Sequence, residues 1–137
     1  MNTNDAQTHP ADFDYVGFID SFEEVTYWHF AWYTQIMAKL VFEPAQKVDT
    51  HHQCRFGKFV DNTAAPPGRD QELAEVQHLH VKMHKTADAL LASQTGRCDV
   101  SREAFDEFAE VQSLFMAACN NLLRSSIMDA GIAGSKP

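Results

Sequence analysis

Apolar and bulky side chains recur at steps of three and four through residues 12–41, the spacing that places them on one face of an α-helix. The stripe consists of Phe18, Phe22, Val25, His29, Trp32, Ile36 and Leu40. His29 lies in the middle of this stripe, so its side chain is expected to point toward the core. The pattern predicts a long amphipathic helix with one inward-facing histidine.

Two further long stretches have the same periodicity, and a polar residue suited to capping a helix opens each of them. Residues 70–93 begin with Asp70, and their stripe is Leu73, Val76, His80, Met83 with His84, Ala87 and Leu91. Residues 101–128 begin with Ser101, and their stripe is Phe108, Val111, Phe115, Ala118 and Leu122. These patterns predict two more amphipathic helices, separated by the turn-forming residues SQTGRCD.

A short helix is predicted between the first and second of these long helices. Thr50 and Gln53 have the spacing of a capping box, which would begin a helix near His51 that continues through CRFGKFV. Cys54 would then lie in or just after the first turn. Backbone N–H groups and the helix dipole favour a thiolate at that position.

Strand signals are poor, because no segment alternates apolar and polar residues for long. Three long helices and one short helix that carries the cysteine predict an all-α four-helix bundle. We place the bundle domain at residues 12–130, between a flexible polar arm at 1–11 and a flexible tail at 131–137.

The composition narrows the choice of partners and compartment. A net charge of −8 over 137 residues argues against nucleic acid or an anionic membrane surface as partner. No apolar run is long enough to span a bilayer, and no signal peptide is visible. The three cysteines, Cys54, Cys98 and Cys119, are too widely spaced for a disulfide framework. We therefore expect a cytoplasmic domain.

Helix geometry separates the histidines of HLHVKMH at residues 78–84. His80 and His84 are four residues apart and share one face, one turn apart. His78 is about 200° from His80 around the helix axis and points away. His80 and His84 lie on an apolar stripe, where buried imidazoles need partners.

His29 on the first stripe and Cys54 at the short helix can join this pair. Three imidazoles and one thiolate complete a tetrahedral shell of the kind that suits Zn²⁺. Hard cations would require oxygen ligands instead. The predicted metal ligands are therefore His29, Cys54, His80 and His84.

Three linked motifs in the chain resemble the chemoreceptor zinc-binding domain family. They are HFAW from His29, then CRFGKF from Cys54 after 21 residues, then HVKMH from His80 after 20 more. The family pattern is HxxW, CxFGxW or a close variant, and HxxxH, at about these intervals. Phe59 stands in this chain where the pattern has its second tryptophan. Three motifs in order are far more specific than one.

The resemblance implies the same four ligands and a four-helix bundle that pairs as a homodimer. It also implies a bacterial regulatory domain that senses zinc or oxidants, of the kind attached to chemoreceptors and diguanylate cyclases. Such a domain is not itself an enzyme. We expect either a stand-alone domain or part of a longer signalling protein. The alternative is a structural role, in which zinc only staples a dimerisation module.

Other candidate sites are weaker. His51 and His52 flank Cys54 but would lie on a different face of the short helix. Glu75 and His78 form a single ExxH motif, whereas a di-iron bundle needs two such motifs and further glutamates. A haemerythrin-like site would need more histidines and bridging carboxylates. Cys98 is expected to be exposed in a turn, and Cys119 to be a structural bystander. No convincing catalytic site is visible.

Overall fold

The computed structural model describes residues 12–42 and 54–134, and these residues form four helices and no strand. The helices are α1 (Tyr15–Phe42), α2 (Arg55–Val60), α3 (Asp70–Ala92) and α4 (Arg102–Gly134). The predicted all-α bundle is confirmed. The predicted arm and the Thr50–Gln53 capping box lie outside the described residues, as do His51, His52 and residues 135–137.

Helix α1 begins three residues later than residue 12, at a side-chain cap. The carboxylate of Asp14 accepts a hydrogen bond of 2.9 Å from the backbone N–H of Gly17. This is the position at which an N-cap aspartate satisfies an otherwise unpaired N–H group. A Cβ atom at Gly17 would meet the Asp14 carboxylate, which would have to move to accommodate it.

Helix α2 begins at Arg55 and not near His51, so the prediction that Cys54 lies in or just after its first turn is wrong. Cys54 occupies the N-cap position with extended backbone angles (φ −72°, ψ 124°). Phe56 and Val60 are completely buried, and the Gln77 side-chain amide donates a 2.7 Å hydrogen bond to the Val60 carbonyl. Contacts with α1 and α3 thus hold a helix of six residues that is too short to be stable alone.

The start of α3 is tied to the far end of α4. Arg69, rather than Asp70, occupies the N-cap position, and Asp70 is the first helical residue. The Arg69 guanidinium donates two hydrogen bonds of 2.9 Å to the carboxylate of Asp129 and one of 2.9 Å to Glu72. Asp70 still carries its negative charge in the first turn, where the helix dipole favours it.

Helix α4 begins as predicted and ends later than predicted. The Ser101 hydroxyl accepts a 3.1 Å hydrogen bond from the Ala104 N–H, which confirms its capping role. The helix continues to Gly134, so residues 131–134 are helical although they were predicted as tail. The segment IMDAGIAG contains good helix formers and lacks proline, and its two glycines weaken the helix without ending it.

The apolar stripes of the three long helices meet in one core. All the predicted core residues of α3 are buried, as are most of those of α1 and α4. Val25, Trp32 and Ala118 are only half-buried, and Cys119 occupies the core of α4 beside Ala118. None of the described helices combines the length and the apolar character that crossing a bilayer requires.

Candidate metal centre

Three helices bring the four predicted ligands together inside the bundle. His29 comes from the middle of α1, Cys54 from the N-cap of α2, and the pair His80 and His84 from α3. Each offers one ligand atom, and these atoms all lie within 4.8 Å of one another. The structure therefore joins residues that are up to 55 positions apart in sequence (84 − 29).

The HxxxH pair faces inward as helix geometry predicts. His80 is 1% exposed and His84 is 3% exposed. Their Nε2 atoms are 3.1 Å apart, so two ring nitrogens converge on one point from successive turns of α3. Such convergence is required for two imidazoles that share one ion.

His29 completes a cluster of three imidazoles and has an unsatisfied nitrogen. Its ring centroid lies 5.1 Å from that of His80 and 5.7 Å from that of His84. Its Nε2 atom is buried without a hydrogen-bond partner among the described residues. Leaving a polar atom buried and unpaired costs about 1–3 kcal/mol, a cost that a metal–nitrogen bond would offset.

The surroundings of His29 keep its ring neutral. Burial, followed by the neighbouring imidazoles of His80 and His84, lowers the pKa of His29 well below the ordinary value of 6.5. A neutral imidazole retains the lone pair that a metal ion needs, whereas an imidazolium has none. The His29 side chain is thus in the protonation state of a ligand.

Cys54 differs from the prediction in its protonation. Burial raises the pKa of the Cys54 thiol, and the N–H groups of Gly57 and Phe56 lower it only in part. The Asp61 carboxylate raises it further. The N–H groups that were expected to favour a thiolate are present, but desolvation outweighs them. A metal ion that binds the sulfur must therefore displace its proton.

The spacing and chemistry of the four donors fit zinc. A tetrahedral shell with Zn–N bonds of about 2.0–2.1 Å and a Zn–S bond of about 2.3 Å has ligand atoms about 3.3–3.6 Å apart. The observed group, with its largest separations within 4.8 Å, reaches this size by side-chain movements of about 1 Å. Nitrogen and sulfur donors without a carboxylate are the set that zinc accepts and calcium or magnesium does not.

Aromatic rings surround the four donors. Trp32 lies 4.8 Å from the His29 ring and 4.3 Å from the His84 ring, and Phe56 lies 5.0 Å from the His80 ring. Trp32 and Phe56 thus pack directly against the site. Phe115 of α4, at 4.6 Å from His29, also closes the site. Its periodicity predicted a core position, but no local motif linked it to the histidines.

Phe59 packs the short helix down at a distance from the donors. Its ring lies 5.9 Å from that of Phe18 in the first half of α1. The position that varies from the family pattern is therefore in contact with α1. The aromatic rings nearest the donors are those of Trp32, Phe56 and Phe115.

The residues set aside from the sequence are remote from the centre or chemically unsuited to it. His78 and Glu75 are both exposed on α3, so the single ExxH motif does not face the core. Cys98 is exposed in the turn after α3, at a left-handed φ of 61°. Cys119 is buried in the core, where burial raises the pKa of its thiol to about 12.

Comparison with known families agrees with this geometry. Residues 29–91 match the family described as the chemoreceptor zinc-binding domain, and the matched segment contains all four donors. The resemblance predicted from the three motifs is thereby confirmed. The family is zinc-binding and regulatory rather than catalytic. No curated protein and no solved structure matched the chain significantly.

Proposed function

Because residues 29–91 match the chemoreceptor zinc-binding domain family, we propose that the protein is a zinc-responsive regulatory module. Its proposed ligands are His29, Cys54, His80 and His84, and its output is an attached or associated signalling protein such as a chemoreceptor or a diguanylate cyclase. The observation that carries this proposal is the convergence of four nitrogen and sulfur donors from three separate helices.

The position of Cys54 makes α2 the element that responds. Cys54 directly precedes α2, so a bond to its sulfur fixes the start of this helix relative to α1 and α3. The helix is only six residues long, and its other anchors include the side chains of Phe56 and Val60 and one hydrogen bond from Gln77. Loss of the ligand bond therefore weakens α2 more than any other helix.

The alternative is that zinc only stabilises the fold, as a structural staple. The apolar core supports a sensor, in which zinc binds reversibly to a domain that is already folded. Helices α1, α3 and α4 share a continuous apolar cluster that includes Phe22, Ile36, Leu90, Phe115 and Leu122. These side chains remain buried whether or not an ion holds the four donors. We therefore expect the three long helices to stay folded without zinc, as a reversible sensor requires.

A polar contact offers a connection from α2 to the end of α4. The turn that follows α2 ends at Arg69, which holds the Asp129 carboxylate through two hydrogen bonds. Asp129 lies close to Gly134, the last residue of α4. A change in the packing of α2 would shift this turn and so bias the end of α4, as a two-state coupling requires.

Oxidation of Cys54 is the second proposed input. A peroxide would transfer one oxygen to the zinc-bound thiolate, giving a sulfenic acid and hydroxide, while the peroxide O–O bond breaks. The sulfenic acid is a poorer ligand, so oxidation would release α2 as zinc loss does. The support is that Cys54 is only half-buried, whereas His29 and His84 are each 3% exposed.

We further propose a homodimer in the cytoplasm. The last turns of α4 expose three large apolar side chains, Ile127, Met128 and Ile132, that a second copy would cover. The three cysteines are free thiols, as expected in a reducing compartment. Sedimentation of the wild-type chain and of Ile127→Asp tests the pairing, since a charge in an apolar interface should give monomers.

Metal analysis tests the proposed zinc site. Protein purified without added metal should contain about one zinc per chain, and Cys54→Ser and His84→Ala should retain far less. His78→Ala is the matched control, because His78 is an exposed histidine of the same helix. Equal loss in His78→Ala, or in His51→Ala, would show that the ligands have been assigned wrongly.

A further inference from the structure

A cavity of about 260 Å³ lies between α1 and the start of α2, beside the candidate metal centre. His29 and Cys54 form part of its wall, together with Trp28 and Arg55. The volume is well above the roughly 30 Å³ that one water molecule occupies in the liquid. Two of the four proposed ligands thus border a space that can hold water and a small ion.

The cavity runs from the protein surface to the buried donors. At its inner side His29 is 3% exposed, whereas Trp28, the preceding residue on α1, is 43% exposed. Arg55 is also exposed. The rings of Trp32 and Phe56 pack against His84 and His80 and also form part of the cavity wall. Phe115 of α4 packs against His29. The cavity is therefore an approach to the donors whose wall combines aromatic rings with the polar side chains of Arg55 and Cys54.

A cation–π contact crosses the rim of this cavity. The guanidinium carbon of Arg55 lies 4.6 Å from the centroid of the Trp28 ring, so the contact joins the first residue of α2 to α1. At exposed positions such a contact contributes only about 0.5–1 kcal/mol, which permits frequent opening. The positive charge of Arg55 also opposes the approach of a cation.

We propose that this cavity is the route by which the metal ion reaches and leaves the four donors, and that the stacked Arg55–Trp28 pair narrows its opening. The inference rests on the proposed zinc site. Neither side chain belongs to the group of four donors. The pair therefore controls the rates of metal binding and release, while the ligands set the affinity.

Trp28→Ala tests the route without a change in charge. In the full chain, stopped-flow mixing with zinc gives the association rate constant, and transfer to excess chelator, measured until it no longer depends on chelator concentration, gives the dissociation rate constant. Loss of the stacked pair should raise both roughly two- to fivefold, the fold-change equivalent of about 0.5–1 kcal/mol. Their ratio, the dissociation constant, should stay unchanged.

The matched control is Phe30→Ala, which removes an exposed aromatic ring (49%) from the same helix away from the cavity wall. It should leave both rate constants as they are. Unchanged rate constants in Trp28→Ala would overturn the proposed route. A rise in the dissociation rate constant alone would also overturn it, because Trp28 would then stabilise the site and not its opening.

Arg55→Ala shows how much the positive charge of Arg55 slows zinc entry, beyond the narrowing of the opening by the stacked pair. It should raise both rate constants, and the association rate constant more, because a positive charge is removed from the path of a cation. High salt should reduce this excess, because it screens exposed charges. Arg102→Ala, which removes an exposed arginine from α4, should have no such effect.

The outcomes test the proposed route separately from the proposed zinc site. A wild-type chain that binds no zinc would contradict both the proposed function and the route. A chain that binds zinc through the four donors but exchanges it at the same rate in Trp28→Ala would contradict only the route.

Discussion

The interior of the bundle is polar beside the middle of α1 and apolar beside the C-terminal part of that helix. Around His29 it contains three imidazoles and a half-buried thiol, surrounded by aromatic rings. Two turns further along, around Ile36 and Leu40, it is apolar and continues into Leu90 and Phe108. The first region contains a buried histidine nitrogen without a hydrogen-bond partner among the described residues. The second is mainly apolar, and the Gln94 amide donates a 3.2 Å hydrogen bond to the Leu40 carbonyl there.

We expect this difference to let one small domain combine stability with a response to zinc. The apolar region gains free energy from burial under all conditions. The polar region gains it only when its donors are bonded, since unpaired polar groups are costly in a protein interior. The short helix α2 lies against the polar region, so we expect its stability to depend on metal binding.

Removal of one donor should have the largest effect, because it should weaken zinc binding in the polar region and leave the apolar region folded. Structural zinc sites contribute about 10–16 kcal/mol, or roughly 2.5–4 kcal/mol for each of four ligands. Cys54→Ser or His84→Ala should therefore weaken zinc binding a hundredfold to a thousandfold, measured by competition with a chelator. Circular dichroism should still report a helical chain. Unfolding of either variant would contradict the independence of the apolar region.

Zinc removal from the wild-type chain should act mainly on α2. Hydrogen exchange of the amides of residues 55–60 should accelerate by about tenfold or more, because local opening there loses its main restraint. The buried amides around Leu90 in α3 serve as the internal control and should keep their protection. Equal acceleration in both segments would favour the structural staple over the sensor.

Ile36→Val should act on the apolar region alone. Ile36 is 1% exposed, and deletion of one buried methyl group costs about 0.5–1.5 kcal/mol. Urea unfolding should show this loss to the same extent with and without zinc, and the dissociation constant for zinc should not change. A zinc affinity that falls together with stability would mean that the two regions are coupled more tightly than the structure indicates.

The Arg69–Asp129 contact should give the smallest effect. Arg69→Ala removes a bidentate pair whose side chains are 33% and 20% exposed, for which we expect a loss of about 0.5–1 kcal/mol in the free energy of unfolding. Arg102→Ala removes a far more exposed pair at 3.7 Å and should cost less. If Arg69 links α2 to α4, its variant should also reduce the zinc-dependent change in exchange near Asp129.

The sequence predicted most of the fold because helical periodicity is a local property. The stripes of α1, α3 and α4 follow directly from apolar spacing, and HxxxH places His80 and His84 on one face by geometry alone. Helix geometry alone did not predict that His29 and Cys54 belong to the candidate metal site. Their positions on a core stripe and near a short helix suggested it, and the linked motifs then made the same set specific.

Other features could not be predicted because they depend on contacts between distant residues. The pKa of Cys54 follows from how deeply α2 packs, which a capping pattern does not reveal. Phe115 meets His29 only because α4 crosses α1 at that level. The end of α4 at Gly134 was missed because glycines weaken a helix without a fixed stopping point.

X-ray absorption at the zinc edge tests the central claim most directly, since it reports the atoms bonded to the ion. The four proposed ligands predict three nitrogen neighbours at about 2.0–2.1 Å and one sulfur neighbour at about 2.3 Å. Cys54→Ser, loaded with zinc, should lose the sulfur neighbour, whereas Cys98→Ser should keep it. A wild-type spectrum without sulfur, or a sulfur neighbour that persists in Cys54→Ser, would contradict the proposed site.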